Sequence, residues 1–166
     1  YTATLQLGAT TASYDMEHEV NAVYPTTGIT RERIEEVLAQ FVGDIQQVPP
    51  TYSACKVNGN RAYELRRKGR DVELAPKNIH IDAIDILGFD ADEMRLDIRV
   101  ACGKGTYIRA LARDIGRALG SGAYLTALCR TRVGAFRVED SIAFDSFAEW
   151  LDNQKIENNE EENKQI

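Results

Sequence analysis

The chain has 166 residues and carries 26 acidic against 20 basic side chains, a net charge of −6. That length supports a domain with a real hydrophobic core, no apolar run is long enough to cross a bilayer, and no signal-peptide pattern is present. Cys55, Cys102 and Cys129 are widely spaced and odd in number, which speaks against a disulfide framework and fits reduced thiols in a cytoplasm better; the isolated His18 and His80 offer no metal-ligand spacing.

Residues 1–8 alternate, with Ala3, Leu5 and Leu7 on one side and Thr2, Thr4 and Gln6 on the other, the period of a half-buried strand ending at Gly8. Residues 9–29 read as a loop in which Asp15, Glu17, His18 and Glu19 crowd together. Such acidity is ordinarily solvated, and a chemical role is considered only for Asp15. Thr30 caps a helix over residues 30–41 whose apolar stripe is Ile34, Val37, Leu38 and Phe41, stopped by Gly43. Pro49 and Pro50 force extended chain. A strand is expected over residues 52–57, a hairpin turn at Asn58-Gly59, and a short helix over residues 62–68 with Gly69 as its stop.

Ile79, Ile81, Ile84 and Ile86 mark another strand, and the step from two to three residues after Ile81 predicts a bulge. Its hairpin partner is residues 95–102, where Leu96, Ile98 and Val100 alternate with Arg95, Asp97 and Arg99. Gly103 and Gly105 bracket Lys104 at a turn, and Thr106 is expected to cap a helix. Ile108, Leu111, Ala112, Ile115 and Leu119 then recur at helical spacing, while Arg109, Arg113 and Arg117 stand four apart on another face. The helix N-terminus favours an anion, with Tyr107 and Arg109 beside it. Beyond residues 120–122 the chain is extended again through residues 124–133 and on through Phe136 and Val138. A last short helix starts at Asp145 or Ser146, with Phe147, Trp150 and Leu151 packing inward. Residues 152–166 turn to Asn, Glu, Gln and Lys and are expected to be a disordered polar tail. The sum is an α+β domain over residues 1–151, a mixed, largely antiparallel sheet backed by helices.

Charge is segregated along the chain. Residues 56–70 hold six cations against Glu64, and residues 99–137 hold eight against Asp114. Two basic segments in an acidic chain are the footprint of a polyanion site on one face. Tyr52 and Tyr63 among lysine and arginine suit unpaired RNA, where aromatics stack on bases and cations hold phosphates. The sequence Gly103-Lys104-Gly105-Thr106 is not a phosphate loop, because the lysine precedes a glycine rather than Ser or Thr.

Several stretches together resemble one family, the bacterial tRNA pseudouridine synthase B family. They are residues 1–8 (YTATLQLG), 49–59 (PPTYSACKVNG), 61–65 (RAYEL) and 102–109 (CGKGTYIR), with 120–123 (GSGA) and 128–130 (LCR) completing the set. The resemblance implies a pseudouridine synthase-like catalytic domain that isomerises a T-loop uridine of tRNA to pseudouridine, flipping the base and using an Asp nucleophile with no metal and no organic cofactor. By the same resemblance Tyr1 stacks on the flipped base and is a candidate general base, Arg109 pairs with the nucleophilic Asp, Tyr107 stands beside it, and Leu128 packs under the pocket. Lys56, Asn58, Arg61, Lys104, Arg113 and Arg130 are assigned to the RNA-binding face, the partner being the T-arm of tRNA and the protein a monomer.

Two departures from the family stand out. The family's nucleophile lies in a Gly-Thr-Leu-Asp motif ahead of the strand that Tyr1 begins, and these 166 residues contain no such motif. The chain opens without Met inside a strand pattern, so an upstream segment carrying the Asp is expected and the chain alone is expected to be inactive. Ala12 and His18 replace the family's usual Asp and Gly in the acidic loop, and polar residues stand where a C-terminal RNA-binding domain is frequent. The alternative expectation is a non-catalytic RNA-binding module.

Overall fold

A computed structural model of the protein describes residues 1–53, 55–57, 60–61 and 74–162. The chain divides into two compact units, Tyr1–Cys129 and Arg130–Ile166, a division earlier than the boundary after residue 151 that composition suggests. The first unit contains β1 (Thr2–Leu7), β2 (Ala9–Thr11), β3 (Val20–Val23), α1 (Arg31–Ala39), β4 (Gly43–Gln47), β5 (Lys56–Val57), β6 (Asn60–Arg61), β7 (Lys77–Asp90), β8 (Arg95–Cys102), α2 (Ile108–Ala118) and β9 (Ala123–Cys129). Five strands form one sheet in the order β4-β7-β8-β1-β9, every neighbouring pair antiparallel.

Alternation decides which face of this sheet is wet. Ala3, Leu5 and Leu7 of β1, Leu96, Ile98 and Val100 of β8, and Ile79 and Ile81 of β7 point to one side, where Ile34, Val37 and Leu38 of α1 and Ile108, Leu111 and Ile115 of α2 meet them in a single core. The other side carries Thr2, Thr4, Gln6, Arg95, Asp97 and Arg99, so the domain is a sheet covered by helices on one face. The expected bulge after Ile81 is present, with a second register shift after Ile86. Thr30 caps α1 as expected, its side chain accepting from the Arg33 N–H at 3.2 Å.

Several expectations change. The stretch read as loop between residues 9 and 29 holds the β2–β3 hairpin. Gly43 does not merely end a helix; it opens β4, an edge strand paired with β7, whose Gly-Asp-Ile-Gln-Gln sequence has little β propensity. Of the described residues in the strand expected over residues 52–57, only Lys56 and Val57 are strand, paired with Asn60–Arg61. The Asn58-Gly59 turn and the helix over residues 62–68 lie outside the described residues. Thr106 does not cap α2. Its hydroxyl donates to the Gly103 carbonyl at 3.0 Å, and Tyr107 is the N-cap residue, without a side-chain cap bond.

The work of a cap falls to Gln47 at the end of β4. Only 2% exposed, its amide accepts from the Tyr107 N–H at 2.9 Å and donates to the Tyr107 carbonyl at 3.2 Å. The far end of α2 is set by Gly116. A Cβ there would lie 2.4 Å from the Ala123 nitrogen and 2.5 Å from the Gly122 carbonyl carbon, so only glycine lets the helix rest on the start of β9.

The second unit has a small hairpin, β10 (Arg132–Val133) with β11 (Phe136–Arg137), and α3 (Phe147–Glu162). Helical backbone continues past Asp152 to Glu162, where composition alone suggested disorder; glutamate-rich chain has adequate helix propensity. Phe147, Trp150 and Leu151 do not pack inward but remain 39–48% exposed, and the rings of Phe147 and Trp150 stack 5.9 Å apart.

Two stability predictions follow from the packing of α2. Replacing glycine by alanine inside an exposed helix stabilises it by roughly 1 kcal/mol; Gly116→Ala is expected instead to destabilise by about 1–3 kcal/mol, because backbone must give way, and a urea titration with unchanged slope reads the sign. Gln47→Ala leaves the Tyr107 N–H without its partner, while the Tyr107 carbonyl keeps the Leu111 N–H, and is expected to cost about 1–3 kcal/mol, measurable in the same titration.

Candidate active site

The site is built on the first turn of α2. Arg109 is the second residue of that helix and its side chain is about three-quarters covered. One terminal nitrogen, Nη1, donates to the Asp15 carboxylate at 3.1 Å and to the Ser13 carbonyl at 3.2 Å; the other, Nη2, donates to the Tyr52 carbonyl at 2.7 Å. Among the described residues the Nε–H and the second Nη2 hydrogen have no hydrogen-bond partner, which leaves donors for another anion. Asp15 is itself held: its Oδ1 accepts from the Ser13 hydroxyl and from the Glu17 N–H at 3.0 Å, and its carbonyl accepts from the Thr11 hydroxyl at 2.6 Å. Of the crowded loop acids, Asp15 is thus the one aimed at a cation.

Arg109 and Asp15 line a cleft of about 350 Å³ together with Met16, Glu17, Leu125 and Leu128. Leu128 is half-exposed at the end of β9 and offers the cleft an apolar wall. Register places Leu128 opposite Ala3, so Leu128 and Tyr1 project from the same face of the sheet. Tyr1 is packed at the edge of the core and exchanges both backbone hydrogen bonds with Val100, and it is outside the cleft lining. Tyr107 precedes α2, its backbone gripped by Gln47.

The residues expected on an RNA face fare differently. Lys104 is exposed at the Gly103–Gly105 turn and lines a separate groove with Asp44, Asn78 and His80. There the Asp44 carboxylate, 2.7 Å from His80 Nδ1, raises the imidazole above its ordinary pKa. Arg130 is exposed at the start of the second unit. The backbones of Lys56 and Arg61 face each other across the β5–β6 hairpin, and Asn58 lies outside the described residues. Arg113 corrects the expectation: its side chain is only 7% exposed, so it cannot meet a phosphate. Its Nε and Nη2 fork onto Asp114 at 2.8 and 3.0 Å, Nη2 also donates to the Val48 carbonyl at 2.8 Å, and the Tyr14 ring lies 5.3 Å from its guanidinium carbon. Four-residue spacing groups it with Arg109 and Arg117, but of the three only Arg117 is exposed.

Sequence reading missed Gln47, Ser13 and the Tyr52 carbonyl, all of which hold the helix start or Arg109. No residue-type signal marks a backbone acceptor, and the second of two adjacent glutamines reads as surface. His18 packs against Tyr52 with ring centroids 4.7 Å apart and the planes tilted by 48°, its Nδ1 buried without a hydrogen-bond partner among the described residues. Among those residues no three His, Cys, Asp or Glu side chains gather as a metal site, and no helix is long and apolar enough to cross a membrane.

Comparison with known proteins places this geometry in a family. Residues 1–108 match the N-terminal domain of TruB family pseudouridylate synthases, and residues 109–164 match the tRNA pseudouridylate synthase B C-terminal domain. The second match carries a family domain into the stretch where polar tail was expected. The tRNA pseudouridine synthase B of Bacteroides thetaiotaomicron is 60% identical over 165 residues, covering 98% of this chain and 69% of that protein. That of Phocaeicola vulgatus is 61% identical over 157 residues, covering 95% and 66%; the chain therefore spans about two thirds of the length of these relatives. Among solved structures, a Cbf5-Nop10-Gar1 complex aligns with a TM-score of 0.63 at 24% identity, over 90% of this chain and 35% of that one. An H/ACA RNP bound to a substrate RNA containing 2′-deoxyuridine aligns at 0.60 and 22%, over 95% and 35%. Both share the α+β fold described above. With more than half its length matched and relatives near 60% identity, the chain belongs to the TruB family of pseudouridylate synthases.

Proposed function

We propose that the protein to which this chain belongs isomerises a uridine in the T-loop of tRNA to pseudouridine. The observation that carries the reading is the Arg109 guanidinium, partly desolvated in a cleft with an apolar wall and with donors to spare. The names of the 60%-identical relatives supply the substrate class. The isomerisation breaks the bond from ribose to N1 of the base and makes one to C5; the C5 proton leaves and N1 gains one. No atom is gained and nothing is oxidised, so the protein's task is to hold the flipped base, supply a nucleophile and move protons.

In this reading a carboxylate nucleophile comes from a segment outside these 166 residues and is kept ionised by Arg109, because an adjacent guanidinium favours the charged form. Asp15 fixes the other side of the same guanidinium. Tyr1 stacks on the flipped base and takes the C5 proton, Leu128 supports the base from below, and Tyr107 sets the start of α2. Lys104 and Arg130, both exposed, are available to backbone phosphates, and Lys56, Asn58 and Arg61 are proposed for the same role.

The test is pseudouridine formation on a T-arm stem-loop. The complete protein is expected to form product and the 166-residue chain none, with activity restored when the upstream segment is added. Product from the chain alone would assign the nucleophile to a carboxylate within it, Asp15 or Asp114. In the complete protein Arg109→Ala is expected to lower turnover by about a hundredfold or more, the scale of losing a preorganised contact to reacting charge; a change under about threefold would remove Arg109 from the reaction.

A further inference from the structure

We propose that Arg113 is a positioning residue for the Arg109–Asp15 pair: by gripping Tyr14 and Val48 it fixes the two loops from which Arg109 draws its partners. The proposal rests on the functional reading above only for its effect on turnover; the geometric part stands on contacts within this chain.

Arg113 lies one helical turn beyond Arg109. A guanidinium this deeply covered is uncommon, and a buried ion pair is weak as a device for stability alone, since apolar residues of similar volume serve as well or better. What an apolar residue cannot do is reach in three directions at once. Arg113 forks onto Asp114 of its own helix, donates to the Val48 carbonyl, and stands over the Tyr14 ring.

Each of the two outer contacts sits next to a partner of Arg109. Tyr14 lies between Ser13 and Asp15, which both bind Nη1. Its backbone is in the left-handed region, φ +62°, a conformation that a bulky side chain adopts only when its surroundings impose it. Three contacts impose it: the Tyr14 N–H donates to the Thr11 carbonyl at 3.3 Å, its carbonyl accepts from the Leu125 N–H at 3.0 Å, and its ring meets Arg113. The reversal at Tyr14 turns the Ser13 carbonyl and the Asp15 carboxylate toward the same nitrogen. On the other side, Val48 is joined to Tyr52 through Pro49, Pro50 and Thr51, and both prolines are buried and have fixed φ. A segment that stiff carries the position set at Val48 to the Tyr52 carbonyl, which binds Nη2. Successive arginines on one helix therefore hold the same two loops at adjacent points.

The experiment uses Arg113→Met, Arg113→Lys and Tyr14→Asn in the complete protein. Asparagine tolerates the left-handed backbone while removing the ring, and lysine keeps the charge without the planar fork; these two decide the matter if Arg113→Met does not fold. Two readouts are taken. The first is amide hydrogen exchange at Leu125, whose N–H bonds to the Tyr14 carbonyl. Arg113→Met and Tyr14→Asn are expected to speed it by about tenfold or more while amides of the β7–β8 ladder keep their protection. The second is steady-state kinetics on the T-arm stem-loop: kcat is expected to fall by about tenfold to a hundredfold with KM within about threefold, the signature of a misplaced catalytic group rather than a lost binding contact. Unchanged Leu125 exchange in both variants overturns the proposal. So does a raised KM with unaltered kcat and a salt dependence of RNA binding shallower by about one counterion, which would make Arg113 a phosphate contact. If the unsubstituted protein forms no pseudouridine, the functional reading fails, and the exchange measurement still decides what Arg113 holds.

Discussion

A single guanidinium near the start of a helix gathers three separate stretches of chain. Arg109 is badly placed by the local rules: it lies at the positive end of the α2 dipole, where a cation is disfavoured by about 0.3–1 kcal/mol, and the first turn of that helix contains no acidic residue to compensate. It is also largely withdrawn from water, which costs several kcal/mol unless its donors are met. The compensation comes from afar, from Ser13 and Asp15 on one loop and Tyr52 on another. A position where local preference and tertiary structure disagree, and the disagreement is resolved by long-range polar contacts, is where a chemical task is to be sought.

The sheet was legible in the sequence wherever one face is buried and the other wet. β1 and β8 alternate cleanly because helices cover only one side, and the irregular spacing of Ile79, Ile81, Ile84 and Ile86 announced the register shift in β7. The elements that escaped were those whose strand character comes from a neighbour rather than from their own residues. β4 has one isoleucine among five residues, yet pairs along its whole length with β7. The β2–β3 hairpin is three and four residues long and includes Thr and Asn. At the site, residue type and motif pointed to Arg109, Leu128 and Tyr107, but the same spacing argument placed Arg113 in solvent. Periodicity assigns a residue to a helix face; it does not say that a second loop will fold across that face and bury it.

The division of labour between the two faces of the sheet explains where the site lies. Among the described residues the main apolar core lies on the helix-covered side, and the polar side of β1 and β8 is left to cross-strand contacts such as Thr4 with Asp97. The cleft occupies neither face alone. It opens at one end of β9, where the helix-covered core gives out, Leu128 is half-exposed, and the acidic loop folds over from β2. Gly116 sets how closely α2 approaches β9, and Gln47 fixes where α2 begins. Both act at a distance on where the Arg109 side chain emerges.

The contact between the Tyr14 carbonyl and the Leu125 amide has a further effect. β9 is an edge strand, and an edge offers its outward amides to any extended chain that comes near. At Leu125 that opportunity is already taken, by a loop that cannot propagate a ladder because its backbone is turned the wrong way at Tyr14. The loop that presents Asp15 to the cleft is therefore also a stopper on the sheet. One short loop thus covers an outward amide of the sheet edge and carries the carboxylate that meets Arg109.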